Sequence, residues 1–349
     1  MSIPDLFLSK KEFRKSFVSG LDEMLTEHDA LGVFILVMAN ALIAPEVWNH
    51  LDSELHNQFD ENAERYRKAL TNGESFNASD DDILVFLKMM VVGYKNLPPI
   101  ENNKLDQWSI QFNTLRAFRP PRNANLEITT NHAPFNDSGF HFNRPFLRKE
   151  ALWEGELEGR FVELLYNKFP FVENHTLLVP EREHSAPQFL TKGDHNYIWR
   201  LINKLGERIP DIGIAYNSYG AYASVNHLHF QLFIREERLP IELPIWNHNN
   251  GSGSYPLEVL IIDNMEEAWD NIFMLHQQGT SYNLLYRPGH IYIIPRERQG
   301  SEGHSAWNSG ITWYELCGEF VCFNRDAFGK LTADEVRAEI VKASLVQQS

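Results

Sequence analysis

The segment YNSYGAYASVNHLHFQLFI, residues 216–234, joins small polar residues to a run of alternating polar and apolar side chains. Side chains of a β-strand alternate between its two faces, so this alternation predicts a long strand over residues 221–234. His227, His229 and Gln231 would then lie in a row on one face, with an apolar face behind them. The small, turn-permissive residues before the histidines let backbone N–H groups approach an anion closely.

Three interpretations of this polar row compete. It can be the wetted face of a half-exposed strand, or a zinc site, because histidines at positions i and i+2 can both ligate zinc. The zinc site needs a third ligand, and none stands at a recognisable spacing in the sequence. The third interpretation is a histidine that attacks phosphorus, because neutral imidazole is a good nucleophile near pH 7. The anion-compatible residues upstream favour the third.

Composition restricts the class of protein. The chain has 349 residues with 43% hydrophobic and 23% charged content, which is typical of a globular protein with a large core. Lys and Arg number 32 against 47 Asp and Glu, giving a formal net charge of -15. Such a charge repels phosphate backbones, so we expect neither nucleic-acid nor anionic-membrane binding. A phosphate ligand would need a local cationic site.

The sequence also predicts a cytoplasmic protein. Its N-terminus has no apolar signal-peptide core. The apolar run 31–44 is shorter than the roughly 20 residues that span a bilayer, so we interpret it as a buried helix. Cys317 and Cys322 form neither a metal-type spacing nor a disulfide framework, which is typical of a reducing compartment.

Periodicity divides the chain into three predicted domains: a helical N-terminal module (1–105), a catalytic half (106–248) and a second half (249–349) with a C-terminal helix. A polar Asn/Gly/Ser loop marks the second boundary. The helical module would act as a cap or an oligomerisation element. The remaining patterns predict strands at 108–118, 176–180, 257–262 and 290–295, and helices at 194–205, 266–278 and 332–345.

An internal similarity supports two related units. Segments 166–182 and 282–296 both begin with Tyr-Asn, pass through a turn, and continue with a His followed five residues later by Pro. Between the His and the Pro, both segments carry an apolar, β-rich run. Two related α+β units packed side by side would give this pattern, although chance similarity of two hairpins would also give it.

NHLHFQ, preceded by Asn217-x-x-Gly220-x-x-x-Ser224, resembles the His-x-His-x-Gln motif of the transferase branch of the histidine-triad superfamily. That branch includes galactose-1-phosphate uridylyltransferase and diadenosine tetraphosphate phosphorylase. The sequence is most similar to its GDP-hexose phosphorylases, also at QFNTLRAFRPPR (111–122), FHFNR (140–144) and YNLLYRPGHIYIIPR (282–296). The resemblance implies an α+β fold of two tandem histidine-triad-like halves with antiparallel sheets, preceded by the helical module, which it does not cover.

The resemblance also implies roles for individual residues. His229 would be the nucleophile, the main-chain carbonyl of His227 would hold its other ring nitrogen, and Gln231 would donate to the α-phosphate oxygens. Nucleotide or phosphate contacts are implied for Asn167, Asn217, Ser218, Gly220, Ser224, Arg116 and Arg119. Arg116 and Arg119 form a local basic cluster with Arg122, and can equally be surface charges paired with the many carboxylates.

The sequence therefore predicts a nucleotidyltransferase that cleaves a nucleoside diphosphate sugar, with GDP-hexose expected, through a nucleotidyl-histidine intermediate. Its partners would be the nucleotide sugar, or a dinucleotide, and inorganic phosphate. No protein-bound metal is implied, and Mg²⁺ can accompany the substrate. Two alternatives stay open: a dinucleoside polyphosphate phosphorylase or hydrolase, and an inactive metal- or nucleotide-binding module. Nothing in the sequence indicates the oligomeric state.

Overall fold

A computed structural model describes residues 3–97, 99–119, 128, 130–300 and 303–345. Its helices are α1 (Lys10–Glu27), α2 (Leu31–Ile43), α3 (Pro45–Asn72), α4 (Asp80–Val92), α5 (Thr114–Phe118), α6 (Lys192–Gly206), α7 (Met265–Gln278), α8 (Trp313–Leu316), α9 (Arg325–Phe328) and α10 (Ala333–Val341). Its strands are β1 (Glu101–Leu105), β2 (Trp108–Phe112), β3 (Ala151–Leu157), β4 (Arg160–Tyr166), β5 (Thr176–Pro180), β6 (Ile212–Asn217), β7 (Phe230–Ile234), β8 (Leu260–Ile262), β9 (Ser281–Arg287), β10 (His290–Arg296) and β11 (Glu319–Cys322).

The larger sheet has the strand order β3-β4-β5-β7-β6-β9-β10-β8, and its neighbouring strands are antiparallel. The pairing of β6 with β9 joins the strands of the predicted catalytic half to those of the second half in one continuous sheet. In the smaller sheet, β2 pairs antiparallel with β1 and parallel with β11. The predicted α+β class with antiparallel sheets and a helical N-terminal region is confirmed.

Alternation along the central strands separates two hydrophobic cores. In β7, Phe230, Leu232 and Ile234 enter a core that also contains the inner faces of α1–α4, α6 and α7. Phe233, on the opposite face of β7, enters a second core with Trp313, the smaller sheet and α10. A strand with both faces buried in this way has its register strongly specified, because a slip of one residue would exchange the two faces.

The N-terminal helices begin and end where local signals place them. Ser9 and Ser79 accept hydrogen bonds from the N–H groups of Glu12 and Asp82, which caps α1 and α4. Pro45 occupies the first turn of α3, and Gly73 ends that helix in a left-handed conformation. None of the helices in the described ranges combines the length and apolar character that crossing a bilayer needs.

Several predicted elements are wrong in extent. The predicted strand 108–118 ends at Phe112, because the side chain of Asn113 accepts from the Arg116 N–H and starts α5. The predicted strand 221–234 is limited to Phe230–Ile234. The internal similarity also fails residue by residue, since Tyr166 ends β4 whereas Tyr282 lies near the start of β9.

Gly318 makes the turn from α8 into β11, and its main-chain oxygen accepts from the Ser109 N–H at 3.1 Å. Its φ is +90°, and an added Cβ would lie 2.5 Å from the Pro240 Cβ and 2.9 Å from the Trp108 ring. We expect Gly318→Ala to lower the free energy of unfolding by about 1–3 kcal/mol, measured by urea denaturation.

Gly329→Ala is the matched control, because Gly329 has an ordinary φ of −78° and an added Cβ there meets nothing within 4 Å. This variant should leave stability unchanged or raise it by less than about 1 kcal/mol. Equal stability of the two variants would contradict the proposed strain at Gly318.

Candidate active site

A cavity of about 1190 Å³ lies against the large sheet, where β6 ends and β5 and β7 begin. Its walls also include N-terminal residues from segments 30–33 and 76–82, and residues from segment 299–315 near the C-terminus. His229 and Gln231 both line this cavity. The first hundred residues, for which the sequence predicted a cap or an oligomerisation element, thus form one of its walls.

His229 is held at both its main chain and its ring. Its N–H donates to the Gln188 Oε1 at 2.9 Å, and its carbonyl accepts from the Gln188 Nε2 at 3.2 Å. Its ring Nδ1 lies 2.8 Å from the main-chain carbonyl of His227, as the resemblance implies. A carbonyl can only accept, so Nδ1 carries the proton and Nε2 keeps its lone pair. Among the described residues, nothing bonds Nε2, and the ring faces the cavity.

The electrostatic surroundings keep this imidazole neutral. Burial lowers the pKa of His229 to about 4, although the hydrogen bond to the His227 carbonyl acts in the opposite direction. The side chain is only 5% exposed, so removing the charged form from water is costly. At pH 7 the ring is therefore an uncharged base with an available nitrogen lone pair.

His227 does not line the cavity, contrary to the predicted row of three side chains. Residues 221–229 are irregular rather than extended, because Gly220 and Tyr222 adopt left-handed φ values of +86° and +65°. The ring of His227 packs behind the cavity, where its Nδ1 accepts from the Phe142 N–H at 3.1 Å. Burial, together with the neighbouring His229, lowers the pKa of His227 to about 4.

Gln231 presents a defined end of its amide to the cavity. Its Oε1 accepts from the Trp313 Nε1 at 2.8 Å, and the His175 Nε2 lies 3.0 Å from the same oxygen. Within the described chain, no partner accepts from the Gln231 Nε2. An NH₂ group that lines a cavity beside a neutral histidine is suited to donate to the oxygens of a phosphate.

Arg116 and Arg119, two of the three arginines in the predicted basic cluster, line the same cavity. The Arg116 Nη1 donates to the Phe169 carbonyl at 2.6 Å, and its guanidinium lies 4.7 Å from the centre of the Phe171 ring. Burial lowers the pKa of Arg116, which the carboxylate of Glu315 opposes. The Arg119 guanidinium lies 5.6 Å from the centre of the Phe169 ring. Arg122, the third arginine of the cluster, lies outside the described residues.

The other predicted contacts divide into two groups. Asn167, Asn217 and Ser224 line the cavity, and the Asn217 Oδ1 accepts from the Asn283 Nδ2 at 2.6 Å. Ser218 and Gly220 do not line it. The Ser218 Oγ instead accepts from the Tyr282 N–H at 2.9 Å.

Gly220 allows the main chain to pass close to Ser281, since an added Cβ would lie 2.8 Å from the Ser281 Oγ. Its φ of +86° is also a conformation that favours glycine. The structure therefore does not bring Ser218 and Gly220 to the cavity.

Sequence reasoning missed the residues that hold the site from elsewhere in the chain. Gln188 lies in a loop, Trp313 begins the short α8, and Lys168 forms an ion pair with Asp82 of the N-terminal helices at 2.7 Å. No periodicity or motif marks any of them, because their roles depend on contacts between distant segments. Within the described ranges, no three His, Cys, Asp or Glu side chains group so as to hold a metal ion.

The segment that carries this site is similar to known phosphorylases. The family model described as "GDPGP1-like, N-terminal domain" matches residues 106–233, which include His229 and Gln231. GDP-D-glucose phosphorylase 1 of Danio rerio is 35% identical over 166 residues, covering 46% of this chain and 44% of that protein. GDP-L-galactose phosphorylase 1 of Arabidopsis thaliana is 34% identical over 208 residues, covering 52% and 46%. The predicted resemblance to GDP-hexose phosphorylases is confirmed.

The chain spans less than half the length of these curated relatives. Among solved structures, yeast Ap4A phosphorylase Apa2 in complex with Ap4A is 16% identical, with a TM-score of 0.48. That comparison covers 77% of this chain and 99% of the yeast chain.

The buried histidines generate a prediction about titration. In the folded protein, we expect the imidazole resonances of His227 and His229 to show no protonation above about pH 5, by NMR of histidine-labelled protein. In urea, all histidines should titrate near the ordinary value of about 6.5. The unfolded chain then binds protons first, so the free energy of unfolding should decrease as pH falls from about 6.5 to 4. Protonation of His229 between pH 6 and 7 in the folded state would contradict its assigned environment.

Proposed function

We propose that this chain is a phosphorylase that transfers a nucleotidyl group from a nucleoside diphosphate sugar, with GDP-hexose as donor, to inorganic phosphate. The proposal rests on the tautomer and the hydrogen bonding of the His229 ring. Its Nδ1 is tied to the His227 carbonyl, and its Nε2 faces the cavity without a partner among the described residues. We also propose a cytoplasmic location, because the two cysteines are buried and form no disulfide.

In the first displacement, the His229 Nε2 attacks the α-phosphorus of the nucleotide sugar. A P–N bond forms, the bond from the α-phosphorus to the bridging oxygen breaks, and hexose 1-phosphate leaves with that oxygen. Because the Nδ1–H keeps its proton and donates to the His227 carbonyl, the positive charge that develops on the ring is stabilised as it forms. The Gln188 amide fixes the main chain of His229, so the ring is aligned before the substrate binds.

In the second displacement, an oxygen of inorganic phosphate attacks the nucleotidyl-histidine. A new P–O bond forms as the P–N bond breaks, which releases the nucleoside diphosphate and restores neutral His229. The Gln231 NH₂ donates to the α-phosphate oxygens in both steps, and Arg116 and Arg119 supply positive charge in a protein of formal net charge -15. Mg²⁺ can accompany the phosphates of the substrate.

The surroundings of Gln231 favour phosphate over water as acceptor. Its Oε1 already takes part in two hydrogen bonds, so it is poorly placed to accept a proton from an attacking water. The choice of a GDP-hexose rests on the similarity to the GDP-D-glucose phosphorylase of Danio rerio and the GDP-L-galactose phosphorylase of Arabidopsis thaliana.

Replacement of the nucleophile tests the first displacement. His229→Asn should abolish turnover and the covalent trapping of labelled nucleotide, because an amide cannot replace the attacking nitrogen lone pair. Residual activity is measured by product release, and the fold is checked by circular dichroism. Activity above about a tenth of the original would mean a loss of less than ~1.4 kcal/mol and would remove His229 as the nucleophile.

The identity of the donor and the acceptor can be tested with a set of substrates. We expect phosphate-dependent release of GDP and hexose 1-phosphate from at least one of GDP-glucose, GDP-mannose and GDP-galactose. UDP-glucose and diadenosine tetraphosphate are incubated in parallel, each with and without phosphate, and the His229→Asn variant is the blank. Faster cleavage of diadenosine tetraphosphate would overturn the choice of sugar donor. Equal rates without phosphate, with release of GMP, would make the protein a hydrolase.

A further inference from the structure

Two side chains from outside the His-x-His-x-Gln segment converge on one atom of Gln231. The Trp313 Nε1 lies 2.8 Å from the Gln231 Oε1, and the His175 Nε2 lies 3.0 Å from it. Trp313 begins α8, 82 residues further along the chain, and His175 directly precedes β5. Both are completely buried.

The chemistry of the indole determines the orientation of the amide. An indole Nε1–H can only donate, so the Gln231 atom that faces Trp313 must be the oxygen. The NH₂ group is then directed to the other side, toward the cavity. A Gln amide has nearly the same shape in both orientations, so without these donors it can rotate and present its oxygen to the phosphate. An oxygen there would repel the phosphate rather than bind it.

The imidazole of His175 is itself held in the tautomer that can donate. The Gln231 Oε1 can only accept, so the His175 nitrogen that faces it, Nε2, carries the proton. The Asn167 Nδ2 lies 3.3 Å from that Nε2 and 3.4 Å from Nδ1, so it approaches the ring without distinguishing the two nitrogens. The ring is also fixed by the edge of Phe171, with ring centres 4.5 Å apart. His175, Gln231 and Trp313 are therefore consistent in donors and acceptors, because both rings donate to the same amide oxygen.

We propose that Trp313 and His175 are positioning residues, which lock the Gln231 amide so that its NH₂ faces the α-phosphate through both displacements. This inference rests on the proposed function, because it assigns a purpose to the Gln231 donors. It adds two residues to the site by their contact with Gln231 and assigns them no contact with substrate.

The test compares kcat in four variants of the full chain. Gln231→Ala should lower kcat by roughly 10²–10³, since the amide NH₂ that donates to the phosphate is lost. Trp313→Phe keeps an aromatic ring but removes the Nε1–H, and should lower kcat about three- to thirtyfold with a smaller change in KM. His175→Phe should act in the same direction. The double variant Gln231→Ala/Trp313→Phe should be no slower than Gln231→Ala alone, because Trp313 then has nothing to orient.

Trp246→Phe is the matched control. Trp246 is also buried and donates its Nε1–H, but it donates to the main-chain oxygen of Pro240 and not to Gln231. Trp246→Phe should lower the free energy of unfolding and leave kcat unchanged, unlike Trp313→Phe. If Trp246→Phe and Trp313→Phe lower kcat equally, or if the double variant is slower than Gln231→Ala by the full Trp313→Phe factor, the positioning role is overturned.

An NMR measurement of the indole N–H groups needs no activity. In Gln231→Ala, the Trp313 Nε1–H should shift and exchange faster with solvent, whereas that of Trp246 should not change. In Gln231→Glu, a carboxylate oxygen still accepts from Trp313, so the indole signal should persist while kcat falls as in Gln231→Ala. An unchanged Trp313 signal in Gln231→Ala overturns the inference. Absence of phosphorolysis in the unmodified protein would instead overturn the proposed function and leave the indole result standing.

Discussion

Strand β7 lies between β5 and β6 with both faces buried, and its register decides which side chains reach the cavity. Phe230, Leu232 and Ile234 must face the core that contains the N-terminal helices, so Gln231 must face the other side. On that side lies Trp313, whose indole needs an acceptor in a region that excludes water. The hydrophobic pattern that stabilises the sheet therefore also selects the residue and the atom presented to the cavity.

Burial acts on the site in a second way, through the cost of charge. His175, His227 and His229 are buried, and their pKa values are lowered to about 3, 4 and 4 respectively. Neutral rings can each provide one donor and one acceptor, and the contacts around these three use that division of roles. Because these rings are uncharged at pH 7, positive charge near the cavity must come from side chains such as Arg116, Arg119 and Lys168, which all line it.

Much of the fold follows from local patterns, and much of the site does not. β5, α6 and β10 lie close to their predicted positions because each has a clear period and a terminating residue. The predicted strand over 221–229 fails because alternating polarity does not report the left-handed turn at Gly220 and Tyr222. The motif pointed to His229 and Gln231, but the partners that orient them lie 41 and 82 residues away in sequence. Such contacts depend on the packing of distant segments, which no local pattern reports.

The N-terminal helices show why a sequence boundary need not be a boundary in the core. The buried apolar residues of α1–α4 belong to the same hydrophobic cluster as one face of β4 and β7 and the inner face of α6. Tyr166, at the end of β4, donates its hydroxyl to the Phe17 carbonyl at 2.8 Å, and the Asn40 Nδ2 donates to the Asn167 carbonyl at 3.0 Å. Asn167 is also the residue whose amide approaches His175. Helices that lie outside the segment matched by the family model thus hold the main chain at Asn167, beside the His175 ring that contacts Gln231.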